Sequence, residues 1–336
     1  MTLPGDLGAV AHYNLLERIG ESGLGEVYRA RDTKVGRTIA LKLAPAGFVE
    51  GSRRSRLIAD ARAVAALSHP NIATLFDIGE HQGRLYLAYE YVQGDTLRQQ
   101  IAAGRMNTGH ALDLAVQIAD ALAEAHDHGV LHKDLRPDSI LETAKGSAKV
   151  LDLGMSLWTR GGQMRALAAA APEGVPADAR FIVAYLSPEQ ALGGRVDART
   201  DLFSFGVILY EMLTGTNPFA AEDPAGTIQR IIHDVPPPPS TVGADLPKMV
   251  DLVVGRLLTK DPASRTWSAQ KLGEELRRCQ SIIEGGPAPA TAVRPAQSEA
   301  APELLPIEEE KGGSGLWWLL AALMAALAAV LYFLFR

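Results

Sequence analysis

One cysteine, Cys279, occurs in 336 residues. A lone thiol excludes an internal disulfide framework and suits a reducing compartment, where it reads as a packing residue. A basic surplus is missing too. Lys and Arg number 33 against 39 Asp and Glu, a net charge of −6, which gives no electrostatic footprint for nucleic acid. The opening MTLPGDLGAV has no basic stretch leading into an apolar core, so no signal peptide is read there. No internal repeat is visible.

Long uncharged apolar sequence is absent until the C-terminus. Leu316 to Phe335 is then 20 residues without a charge, the length that crosses a hydrocarbon core of ~30 Å. Trp317 and Trp318 at one end and Tyr332 and Phe333 at the other fit the aromatic belts of a spanning helix. A buried core helix is the alternative, but a segment placed after a polar linker has nothing to bury against. A single-pass transmembrane helix over 316–335 is therefore expected, followed only by Arg336. Lys311 is offset by Glu308, Glu309 and Glu310, so charge does not orient the span. The globular part is expected to face the cytoplasm, held by a C-terminal membrane anchor. Ala321, Ala322, Ala325, Ala326, Ala328 and Ala329 offer a small-residue face for a homodimer, or filler facing lipid. Residues 284–315, rich in Pro, Gly and Ala and acidic overall, read as a flexible linker.

The preceding sequence changes character near residue 93. Strand-like runs cover Tyr13–Ile19, Glu26–Arg31, Thr38–Leu43, Thr74–Gly79 and Arg84–Val92. One helical stretch, about Arg53 to Leu67, interrupts them before His69-Pro70-Asn71. Helical periodicity then dominates: Thr108–His128 with Gly129 as C-terminal cap, and about 201–214, 224–233, 246–258 and 268–283. Pro236–Pro239 reads as a loop. A β-rich segment followed by a larger α-rich one is an α+β order.

Two aspartates, Asp134 in LHKDLRPDSIL and Asp152 in VLDLG, interrupt this apolar sequence. Upstream, Gly20-Glu21-Ser22-Gly23-Leu24-Gly25-Glu26-Val27 joins two strands, and Ile39-Ala40-Leu41-Lys42 follows. A glycine-rich turn between strands is on its own more often a plain hairpin, and a strand lysine more often a surface charge. Set in order before the aspartates, they resemble eukaryotic-type serine/threonine protein kinases, bacterial ones included, over roughly residues 13–283. The resemblance implies a two-lobe kinase fold, with an N-lobe over 13–93 and a C-lobe over 94–283.

It also implies roles. The glycine-rich loop, GxGxxGxV in the family, would cover ATP phosphates with Ile19, Gly20, Ser22, Gly23, Gly25 and Val27, Ser22 replacing the middle glycine. Lys42 would grip the α- and β-phosphates, paired with Asp60, which stands where the family has glutamate and is one methylene shorter. Glu90 and Val92 would bind adenine through their backbone, with Tyr89 behind the pocket and Asp95 near the ribose. Asp134 would align the substrate hydroxyl as catalytic base, with Arg136, in place of the usual lysine, at the γ-phosphate. Asp152 would be the main ligand of Mg²⁺ or Mn²⁺. Ser139 replaces the asparagine that is the second ligand, and a hydroxyl is the weaker donor to a hard cation. Asp138 beside it is expected to point elsewhere.

Lys133 replaces the arginine that pairs with an activation-loop phosphate, and Phe181-Ile182 replaces a Gly-Thr pair before Ser187-Pro188-Glu189. Both argue for control independent of loop phosphorylation. Asp201 in DLFSFG would anchor the catalytic loop, and Glu189 with Arg265 would form an internal ion pair; His69 and His132 read as packing and hydrogen-bonding residues. The implied activity is transfer of the ATP γ-phosphoryl group to a protein hydroxyl, with the substrate protein unnamed. Its alternative is a membrane-anchored pseudokinase that binds nucleotide or a partner and signals by conformation; a passive adaptor is the third reading.

Overall fold

Alternation along Thr38–Leu43 divides that strand between two environments. Ile39, Leu41 and Leu43 are buried on one face, with Val10, Tyr13, Ala30, Tyr86 and Ala88. Ala40 and Lys42 point the other way, into a large cavity. The protein is described here by a computed structural model that covers residues 7–285 except 23, 49–50, 159–174, 177–178, 243–245 and 266–267.

Six strands form one antiparallel sheet: β1 (Ala9–Val10), β2 (Tyr13–Ser22), β3 (Gly25–Asp32), β4 (Thr38–Leu43), β5 (Leu75–His81) and β6 (Arg84–Glu90). Their order is β1-β2-β3-β4-β6-β5, and helix α1 (Gly51–Ala65) fills the connection between β4 and β5. A second, three-stranded sheet of β7 (Gly94–Thr96), β8 (Ile140–Thr143) and β9 (Ala148–Val150) was not anticipated from the sequence. Its strands are three or four residues long, too short to show alternation.

The rest is helical. Helix α2 (Leu97–Ala102) carries a Thr96 capping box. Helix α3 (Thr108–Asp127) starts at the Asn107 cap and ends at His128, with Gly129 at φ +71° just beyond. Two short helices follow, α4 (Arg180–Val183) and α5 (Pro188–Ala191), then α6 (Ala198–Thr214), α7 (Pro224–His233), α8 (Pro239–Val242), α9 (Lys248–Leu257) and α10 (Ala269–Ile283). Thirteen consecutive residues of α6, Asp201 to Leu213, are buried, as befits a helix surrounded by protein. The α+β order, β-rich and then α-rich, is what the structure has. Among the described residues no helix is long and apolar enough to cross a membrane. The expected linker beyond residue 285 and the span 316–335 lie outside the described residues.

Helix α10 lies along α3, tied by the Arg277–Asp120 pair at 2.6 Å and by Gln280 Nε2 to Asp113 Oδ1 at 2.6 Å. Cys279 is fully buried on that helix, and burial pushes its thiol up to about 11. A thiol that is neither exposed nor ionised is a poor nucleophile. Ellman's reagent is therefore expected to leave the folded protein unmodified and to titrate one thiol per chain once it is unfolded.

Candidate active site

A cavity of about 950 Å³ opens between the six-stranded sheet and the segment that follows α3. Ile19, Val27, Ala40, Ala73, Leu141 and Leu151 give it apolar walls, and Lys42, Arg136, Asp138 and Asp152 make one end charged. Apolar walls that sandwich a flat ring, beside a few polar groups, suit a nucleotide. Glu90, Tyr91 and Val92 line its hinge side, and Gly20, Glu21 and Ser22 its loop side.

The strand pairing explains the placement. Val27 lies opposite Lys42 in the β3–β4 ladder, and Ala40 opposite Tyr89 in the β4–β6 ladder, so these side chains share the cavity face. The turn joining β2 to β3 closes with Ser22 Oγ donating to the Gly25 carbonyl at 3.2 Å. Gly25 has φ +126°, and an added Cβ would run into the Leu43 carbonyl oxygen; glycine is obligatory there. Gly23 lies outside the described residues. Leu24 is 1% exposed and packs into the main core.

Asp134 follows Lys133, whose φ of +61° is in the left-handed region. The turn is held by Asp201, which accepts from the His132 amide at 2.8 Å and the Lys133 amide at 2.7 Å. Gln190 Nε2 adds a bond to the Lys133 carbonyl at 2.9 Å. A sparsely populated backbone conformation persists where its surroundings over-determine it, as these bonds do. His126 Nε2, at 2.9 Å, completes the shell of the fully buried Asp201. Burial opposes ionisation of Asp201, but the His126 bond, the neighbouring His126 and His132 rings and the Lys133 backbone donor outweigh it and keep the carboxyl below its usual range. His132 Nδ1 accepts the Asp134 amide at 3.3 Å, and His69 Nδ1 the Asn71 amide at 3.1 Å, the hydrogen-bonding roles expected for both.

Arg136 joins the charged residues. Its Nε donates to Asp134 Oδ1 at 3.3 Å, and its Nη1 reaches Asp138 Oδ2 at 3.5 Å. At the other wall the Lys42 ammonium bonds Asp152 Oδ1. Asp152, at φ +54°, is held below the usual carboxylate range: burial pushes its pKa up, and the adjacent Lys42 charge and hydrogen bond more than offset that.

Three expectations are corrected. Lys42 does not pair with Asp60. Asp60 Oδ2 instead accepts from the Trp158 indole Nε1 at 3.0 Å. The Ser139 hydroxyl is engaged by the backbone: Oγ donates to the Arg136 carbonyl at 2.8 Å and accepts the Arg136 amide at 3.1 Å. Ser139 closes a tight turn, Pro137–Ser139, and is 7% exposed. Asp95 is not in the cavity wall: it is exposed on β7, opposite Glu142. Asp138 lines the cavity, its carboxylate lying 3.5 Å from Arg136 Nη1 and 3.4 Å from Arg98 Nη2. Ile182 of α4 lines the cavity as well. No period in the sequence marks either residue.

Among the described residues no cluster of three or more His, Cys, Asp or Glu side chains is arranged to hold a metal ion. The donor set fits a divalent cation held by Asp152 together with phosphate oxygens, the usual mode for Mg²⁺. Ser139 does not fit as its second protein ligand.

Residues 13–275 match the model of the protein kinase domain. The chain is 34% identical over 292 residues to a probable serine/threonine-protein kinase of Streptomyces coelicolor, covering 85% of this chain and 42% of that protein. It is 35% identical over 285 residues to serine/threonine-protein kinase PknB of Mycolicibacterium smegmatis, covering 83% and 44%. The chain thus spans about two fifths of the length of these curated relatives. The crystal structure of the Mycobacterium tuberculosis PknI kinase domain is similar over 83% of this chain and all of that one, with a TM-score of 0.63 at 25% identity. This chain belongs to the protein kinase domain family, with the family's two-lobe fold.

Proposed function

We propose that the chain is a serine/threonine protein kinase that transfers the γ-phosphoryl group of ATP to a protein hydroxyl. One observation carries the reading: Lys42, Asp152 and Arg136 line one apolar-walled cavity, and Arg136 is bonded to Asp134. In that arrangement the Asp134 carboxylate orients the substrate hydroxyl and accepts its proton. Arg136, a planar cation beside Asp134, faces charge that develops on the transferring group. Lys42 holds the phosphates, and the hinge Glu90–Val92 together with the apolar walls holds the base. A divalent cation bound at Asp152 would supply charge neutralisation.

We also propose that residues 316–335 tether the domain to a membrane with the active site on the cytoplasmic side, the alanine face allowing a homodimer. Apolar length and aromatic flanks support this. Fractionation of the full chain beside a form ending at residue 285 tests it; equal solubility of the two would rule out the anchor.

The pseudokinase is the second reading, because the Ser139 hydroxyl is taken up by the Arg136 carbonyl and the Asp60 carboxylate by Trp158. Transfer of radiolabelled phosphate from ATP to a generic protein substrate separates the two, with Asp134→Asn as control. Loss of the base is expected to lower the rate by ~10²–10⁴-fold. Wild-type transfer no greater than that of Asp134→Asn would sink the kinase reading.

A further inference from the structure

We propose that Asp60 is a positioning residue that anchors the start of the activation segment through Trp158, and that Lys42 takes its carboxylate from Asp152 instead. The proposal deepens the kinase reading and rests on it.

The geometry begins on α1. Leu57, Ala61 and Val64 are buried at helical spacing, and half-buried Asp60 lies beside them. Trp158 is 2% exposed, and its indole Nε1 donates to Asp60 at 3.0 Å. An indole N–H carried into a core needs an acceptor, and a missing one costs the desolvation of that group. Asp60 supplies it.

A second contact lies one helical turn further along α1. Gly154 has φ +73°, and a Cβ there would meet Val64 Cγ2 at 2.7 Å and Val130 Cγ1 at 2.9 Å. The chain from Asp152 to Trp158 is internally braced, with the Met155 amide on the Asp152 carbonyl at 3.0 Å and the Trp158 amide on the Met155 carbonyl at 2.9 Å. Leu153 and Met155 are buried within it. Segment 152–158 is thus a short rigid bracket, clamped to α1 by Val64 at one end and by Asp60 at the other. Asp152 stands at its head.

Lys42 is already served. Its ammonium bonds Asp152 and lies 5.3 Å from the centroid of the Tyr89 ring. What Trp158 needs from Asp60 is an oxygen, not a charge. A neutral amide keeps the oxygen and loses the charge, which gives the test its power.

Four variants of the full chain are compared with wild type: Asp60→Asn, Asp60→Leu, Trp158→Phe, and Asp60→Leu with Trp158→Phe. Melting temperature, kcat and the KM for ATP are measured. Asp60→Asn is expected to stay within about twofold of wild type in kcat/KM and to keep its melting temperature, the pattern of an intact hydrogen bond. Asp60→Leu and Trp158→Phe are each expected to lower kcat about tenfold with KM for ATP little changed, as a displaced Asp152 would. The double variant should fall no further than either single one, in kcat and in melting temperature alike.

Three results would overturn the proposal. Asp60→Asn losing as much activity as a Lys42 variant would show that the charge serves Lys42. A faster Trp158→Phe would make the contact a brake. Additive losses of melting temperature would show that the two side chains are not coupled. That last readout holds even if wild type transfers no phosphate, so failure of the kinase reading and failure of this one are told apart.

Discussion

Lys42→Met is expected to lower phosphotransfer by ~10²–10³-fold, the loss typical of removing one preorganised charge from a transition-state site, and to give the folded protein a new pH dependence. Lys42 is the ammonium against Asp152 in a cavity wall, with side chains only 11% and 20% exposed. In wild type that ammonium holds the Asp152 carboxyl below its ordinary range against the opposing effect of burial. A depressed folded pKa contributes stability that is present above the unfolded value of ~3.9 and is lost as pH falls through the folded one. In Lys42→Met burial loses its main opponent, so the carboxyl rises. A group whose folded pKa is raised contributes in the opposite sense, losing stability as pH climbs through it. The melting-temperature gap between wild type and variant should therefore be widest at neutral pH and narrow on acidification toward pH ~4, where the variant's raised carboxyl has taken up its proton, and close fully only below the lowered wild-type value. Melting curves from pH 4 to 8 check this. A gap independent of pH would mean that the Lys42–Asp152 pair does not set the ionisation of Asp152.

The parts of this site that could be read in the sequence are those carried on regular elements. Strand β4 was expected over Thr38–Leu43 and is found there, because alternating apolar residues on a half-buried strand leave a period of two. Lys42 and Ala40 follow from it. Helix α7 was likewise expected and found at 224–233, set by the Asp223 cap and the Pro224 that follows it. Turns were less legible. Ser139 departs from its expected role because Pro137–Ser139 is a tight turn closed by the Ser139 hydroxyl itself. In such a turn, side-chain direction depends on a hydrogen bond that no spacing announces. The Asp60–Trp158 bond joins residues 98 apart, and only the packing of α1 against the DLG segment brings them together. The resemblance to kinases supplied a partner for Asp60 that this fold gives to another residue.

Arg265→Met is expected to destabilise the domain by ~3–5 kcal/mol, the cost of stranding a buried charge, lowering the melting temperature by roughly 10 °C. Arg265 is 2% exposed and meets Glu189 end-on, Nη1 to Oε1 at 3.0 Å and Nη2 to Oε2 at 2.6 Å. The same guanidinium caps the Arg199 carbonyl at 2.8 Å and the Lys260 carbonyl at 3.0 Å, while Thr200 Oγ1 donates to Glu189 at 2.8 Å. Methionine fills the volume but leaves Glu189 with the Thr200 hydroxyl as its surviving side-chain donor. The wild-type carboxyl lies below its usual range because, although burial raises it, the Arg265 bonds outweigh burial. Without Arg265 burial prevails and the carboxyl rises, so much of the destabilisation should disappear near pH 4–5, where Glu189 takes up a proton. Glu189→Gln combined with Arg265→Met should recover part of the loss at pH 7, since no charge is then left buried alone. Chemical denaturation of wild type and the two variants at pH 7 and pH 5 measures this. A double variant less stable than Arg265→Met would show that the carboxylate, even unpaired, stabilises α5 more than its burial costs, and that the ion pair is not what joins this turn to the 260s.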